Sequence, residues 1–142
     1  MKLLLTIALF AAGQISFAGT VITKPADSSF IYVYRSGQFS GSLSNWSIFV
    51  DEQKICKLSN NKYIKVPVKP GKHNISAKIS GIGMFKKETE VDIDVVAGGS
   101  YYVACNIKKS ITRARLEMIE VTKSTANKQM EKMTQDNCQE SD

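Results

Sequence analysis

The sequence holds a single histidine, His73, and only three cysteines. One imidazole excludes a histidine-built metal cluster, and any Ser/His/Asp or Cys/His relay would have to centre on His73. That residue directly follows the Pro70-Gly71 pair, where packing of a turn at a sheet edge accounts for it. No catalytic residue, cofactor or metal is therefore assigned, and the chain is not expected to be an enzyme. Signatures of nucleic-acid binding are missing as well: there is no zinc-finger spacing, no RNP-like aromatic motif and no recognition-helix pattern. Beyond the first dozen residues no apolar run approaches the roughly 20 residues that a spanning helix needs.

The start of the chain is a different matter. Met1-Lys2 is a short positive beginning, Leu3 to Ala12 is continuously apolar, and Ser16-Phe17-Ala18 has small residues where a signal peptidase reads. Residues 1–18 are read as a signal peptide cleaved near Ala18. Gly19-Thr20 follow the cleavage position, where a lipoprotein would carry a cysteine. The expected product is a soluble protein of the periplasm or the extracellular space, with no stable membrane insertion after cleavage. Its net charge of +6 falls by one with the loss of Lys2. The lysines at 54, 57, 62, 65, 69, 72 and 78 are spread singly, as on a solvated face, so nucleic acid is not an expected partner.

Period-two patterning dominates the remainder. Residues 19–29 read as a lead-in, and Phe30 to Arg35 as a first strand followed by the Gly- and Ser-rich stretch 37–45. Trp46 to Val50 and Lys54 to Leu58 form a hairpin around Asp51-Glu52-Gln53. Lys62 to Val66 is a fourth strand ended by Pro67, because proline cannot donate to a central ladder. Pro70 presets a bend and Gly71 accepts positive φ, which makes these two the structural turn residues. Ile75, Ala77 and Ile79 then alternate with Asn74, Ser76 and Lys78. Val91, Ile93 and Val95 alternate with Glu88, Glu90, Asp92 and Asp94. Tyr101, Val103, Cys105 and Ile107 form another inward row, and Ala114, Leu116 and Met118 a last one. Eight short strands predict an all-β chain, an antiparallel β-sandwich over 30–121. Residues 122–142 change period: Ala126, Met130 and Met133 recur at helical spacing, predicting a C-terminal helix whose polar end from Asn137 frays.

Four segments carry a family resemblance. They are Ile31-Tyr32-Val33-Tyr34-Arg35 with the loop after it, Ile48-Phe49-Val50-Asp51, Val68-Lys69-Pro70-Gly71-Lys72-His73 with Ile75 and Ala77, and Val95 to Tyr102. Over about two thirds of its length the chain resembles a poorly characterised family of bacterial exported domains of unknown function, many of them lipoproteins, with a small PEGA-like β-sandwich. The resemblance implies scaffold residues without shared catalytic groups, and a binding or assembly role at the cell envelope.

The cysteines are odd in number in a compartment expected to be oxidising. Cys56 shares a strand face with Leu58, and Cys105 shares one with Val103 and Ile107, so both are expected to point inward and to bridge. Cys138, in the polar tail, is then left free or pairs between chains as the link of a homodimer. The acidic row Glu88, Glu90, Asp92 and Asp94 could attract a cation, but carboxylates on alternate residues stand about 6.8 Å apart. A cross-strand ladder with Lys72 and Lys78 accounts for it better. The first strand is apolar on both faces, so it is either central or covered, with the tail helix as the candidate cover. The function expected is binding of an unidentified protein or envelope component. The alternative is electrostatic capture of anionic lipid, glycan or peptidoglycan fragments on a basic face.

Overall fold

The computed structural model describes residues 28–37, 45–79, 89–109 and 114–138. The signal-peptide segment, the centre of the 37–45 stretch, Glu88 and the Gly81-Ile82-Gly83 segment lie outside the described residues. Among the described residues nine strands and one helix follow in the order β1 (Ser29–Arg35), β2 (Trp46–Val50), β3 (Gln53–Leu58), β4 (Lys62–Val68), β5 (Gly71–Ile79), β6 (Glu90–Val95), β7 (Ser100–Lys109), β8 (Ala114–Val121), α1 (Lys123–Met130) and β9 (Thr134–Gln135). Among the described residues no helix is long and apolar enough to cross a membrane.

The alternation seen in sequence places one row of each strand in a common core. Ile31, Val33, Trp46, Ile48, Leu58, Ile75, Ile93, Val103 and Cys105 are buried together there. Each large aliphatic side chain removed from water contributes about 1.5–3 kcal/mol, which is why the two sheets close on one another. One sheet has the order β8-β7-β1-β4-β9, the other β3-β2-β5-β6. Contacts between β6 and β8, and between β3 and β4, close the two sides of the sandwich.

Four features depart from the sequence reading. Two of the strand pairs are parallel, β1 with β7 and β4 with β9. Local pattern cannot specify this, because β1 and β7 meet only after the chain has crossed to the other sheet and back. Second, β4 runs through Pro67 to Val68. Pro67 lies opposite Phe30 of β1, while β9 pairs only Lys62 and Tyr63. At Pro67 the strand is therefore an edge, where a missing N–H costs no ladder bond.

Third, the helix stops at Met130 and the tail continues into β9, which gives a ninth strand. Thr122 caps the helix, its side chain accepting from the Thr125 N–H. Ala126 is fully buried, and Met130 and Met133 pack beside it against Tyr34, Tyr63, Tyr102 and Ala104. The helix thus covers part of the outer face of β1, which is also the central strand of its sheet; both explanations for a strand apolar on two faces hold. Fourth, Cys138, in the tail expected to fray, is covalently bonded to Cys56, while residues 139–142 lie outside the described residues.

Candidate functional site

Alternation on β2, β5 and β6 projects Phe49, Asn74, Ser76, Lys78, Glu90 and Asp92 outward from the second sheet. All of these but Asp92, with Glu52, Ala77 and Thr89, line an open groove of about 600 Å³. Among the described residues its one aromatic is Phe49, and the Lys78 ammonium lies 4.6 Å from that ring's centroid. A second hollow of about 500 Å³ continues past Asn74, lined by Asp51, Lys72, His73, Asp92, Ile93 and Asp94. Of the charge ladder expected with Lys72 and Lys78, the register puts Lys72 opposite Asp94, whereas Asn74 lies opposite Asp92 and Ser76 opposite Glu90. Within it the Asn74 side-chain amide donates to Asp92 at 2.8 Å, while Lys78 turns to Phe49.

The hollow is anchored by a clamp. Asp51 and Glu52 form a two-residue hairpin turn with φ of 49° and 67°, the left-handed geometry such turns need. Neither is glycine, so the conformation costs on the order of 1 kcal/mol or more per residue and must be held in place. The His73 ring holds it: Nδ1–H donates to Asp51 Oδ2 at 2.6 Å and Nε2–H donates to the Lys69 carbonyl at 2.8 Å. The Asn74 N–H adds a bond to Asp51 Oδ1 at 2.9 Å. Both His73 partners only accept, so the imidazolium fits the site.

Burial pulls the His73 pKa down, but the Asp51 bond, the Lys69 bond and the Asp51 charge outweigh it and leave it above the ordinary 6.5. The His73 bond is the main cause that holds Asp51 below the ordinary carboxylate value; burial opposes it, and the Asn74 N–H and the His73 charge add to the lowering. Gly71, which opens β5 beside this clamp, has φ of +136°. Pro70 immediately before it completes the turn read from sequence.

The cysteines are arranged differently from the sequence reading. Cys56 is bonded to Cys138, with Cα atoms 4.9 Å apart, and Cys105 is a free, buried thiol. Cys56 and Cys105 do both point into the core. However, β3 closes against β4 on one side of the sandwich, whereas Cys105 lies on β7 between β8 and β1. That separation is about two strand widths, beyond the reach of a disulfide. Cys138 is consumed within the chain, which removes it as the link of a homodimer. Burial pushes the Cys105 thiol up to about 12, against a smaller opposing effect of Arg35.

Sequence reasoning also missed Asp136. Its carboxylate accepts from the Ser59 N–H at 2.7 Å and the Cys138 N–H at 3.0 Å. It lies with the two cysteines in a three-residue group, but with the sulfurs bonded to each other the group offers one carboxylate beside a disulfide. Arg35 is another surprise: it is fully buried, with its guanidinium 4.1 Å from the Trp46 ring centroid. Of the remaining aromatics, Tyr32 and Tyr102 stack at 5.0 Å, and Tyr101 accepts from the Val96 N–H. Packing and turn closure therefore engage Tyr32, Tyr101 and Tyr102.

Two facing sheets with a tail that crosses one of them define a β-sandwich. Residues 25–117 match the family model described as Protein of unknown function (DUF2846), and the chain belongs to that family. No curated protein matches it. The matched segment ends within β8, so α1, β9 and Cys138 lie beyond it.

Proposed function

We propose that this chain is an exported, non-catalytic module that binds a protein or another component of the cell envelope through the outer face of the sheet β3-β2-β5-β6. The observation that carries the reading is the groove over Phe49, whose volume of about 600 Å³ is within the range of ligand clefts. One aromatic is surrounded there by Asn74, Ser76, Lys78, Thr89 and Glu90, groups that hydrogen-bond a polar partner. The edges of the sheet suit binding less. Strand β3 carries a bulge at Ile55, opposite Ile48 and Phe49 of β2, and presents Lys54 and Lys57, while β6 presents Glu90, Asp92 and Asp94; bulges and edge charges oppose strand addition. A non-catalytic role is supported by His73, which gives both ring nitrogens to a structural clamp, and by the inaccessible Cys105. Export is supported by the pattern of residues 1–18 and by the disulfide, a bond typical of oxidising compartments.

The test is capture of partners from envelope fractions with wild type and Phe49→Ala. The variant is expected to lose the partner while melting within a few degrees of wild type. Retention of the partner by Phe49→Ala overturns the assignment of the groove.

A second reading rests on Lys54, Lys57, Lys72 and Lys78, which the strand pairings put on this same face, the acidic residues there lying on β6 and in the Asp51-Glu52 turn. It is electrostatic capture of anionic lipid, glycan or peptidoglycan fragments. In about 1 M salt the screening length falls to roughly 3 Å, so capture by charge collapses there and capture through the Phe49 groove persists.

A further inference from the structure

The residues after β8 form a strap. Thr122 and α1 lead across the outer face of the first sheet, where the Tyr34 hydroxyl donates to Gln129 Oε1. Strand β9 then lies along β4, Thr134 beside Lys62 and Gln135 beside Tyr63. The Asp136 N–H donates to the Tyr63 carbonyl at 2.8 Å, its carboxylate takes the Ser59 N–H, and Cys138 ends the strap on Cys56 of the opposite sheet.

Each non-covalent attachment is small. The helix has eight residues, short of the roughly 12–15 at which an isolated helix becomes even marginal in water. Ala126 is its one buried residue, and β9 has two residues, both exposed. The main core draws its seventeen buried side chains from strands β1 to β8, and from the strap Cys138 packs against it. The strap also lies beyond the segment matched by the family.

We infer that the Cys56–Cys138 disulfide is a redox-operated latch: its reduction releases residues 122–138 from the first sheet while the sandwich stays folded, uncovering Tyr34, Tyr63 and the outer edge of β4. The co-reactant is a dithiol. Its thiolate attacks the sulfur of Cys138, the less buried partner, the S–S bond breaks, and Cys56 leaves as a thiolate that takes up a proton. The second thiol of the reductant resolves the mixed disulfide and frees Cys138. Two electrons and two protons pass to the chain, and the reductant departs as a disulfide. Cys105 does not compete, because it is fully buried and its thiol is pushed up to about 12.

The experiment compares the full chain before and after treatment with dithiothreitol. It reads amide exchange over 59–66 and 122–138 together with the emission of Trp46, the single tryptophan, which is fully buried in the core. Exchange of the strap amides is expected to accelerate about ten-fold or more, as for a locally opened segment, with faster trypsin cleavage after Lys123, Lys128 and Lys132 and unchanged Trp46 emission. Cys138→Ser should behave as the reduced protein without reductant; if that variant does not fold, reduction of folded wild type still decides. Strap protection that survives reduction overturns the latch, because the strap is then held non-covalently. Loss of the Trp46 signature together with the strap overturns it too, because the disulfide is then a staple of the whole fold.

Discussion

Replacing Gly71 isolates a backbone effect with little else attached. A Cβ built there meets nothing within 4 Å, while φ is +136°, a region that residues with side chains rarely occupy. The cost of Gly71→Ala is therefore conformational, of the order of 1–3 kcal/mol, and Gly71→Val should cost more because a β-branched side chain resists that region further. The strain falls where β5 begins opposite Val95 and where the Lys69 carbonyl receives His73. For a domain of this size each kcal/mol lowers Tm by roughly 4 °C or more, so the alanine variant should melt about 4–12 °C below wild type, read by circular dichroism and Trp46 emission. Lys69→Ala keeps the carbonyl that His73 uses and should be nearly silent. Gly99→Ala is the steric counterpart: its Cβ would stand 2.6 Å from the Tyr101 ring and 3.0 Å from the Val96 carbonyl. An alanine at 71 that melted with wild type would refute the claim that this turn requires glycine.

Other consequences are as direct. Because the His73 pKa is raised, the stability it contributes is fully present below its unfolded value near 6.5 and is lost as pH rises through the folded value; the lowered Asp51 pKa gives stability present above about 3.8 and lost as pH falls through its folded value. The clamp is thus strongest between those limits, and His73→Gln should remove the fall in Tm on the alkaline side. Mass spectrometry of the non-reduced, alkylated chain should find Cys56 linked to Cys138 and Cys105 labelled only after denaturation; a native-state label on Cys105 would contradict its burial. Asp136→Ala leaves the Ser59 and Cys138 N–H groups without their acceptor and should ease local opening of residues 122–138 by about 1–3 kcal/mol, measured by amide exchange over that segment, whereas unchanged exchange would show that water replaces the carboxylate.

What the sequence by itself determined was local. Side chains on a strand alternate by geometry, so Ile75 and Ala77, or Ile93 and Val95, declare their inward face without knowledge of any partner strand. Pro70-Gly71 declares its turn because both residues act through their own φ. The same logic located Ala126 and Met133 on one side of the tail. Tertiary structure alone decided the partnerships. Cys56 and Cys105 both point inward, yet strand order separates them, and Cys138 reaches Cys56 because α1 crosses the first sheet and β9 lays the tail beside β4. Asp136 carried no signal, since its role depends on the Ser59 N–H, far away in the chain. The groove over Phe49 was equally hidden: its lining comes from β2, β5, β6 and a hairpin turn, residues that neighbour one another only once the sheet has set their order.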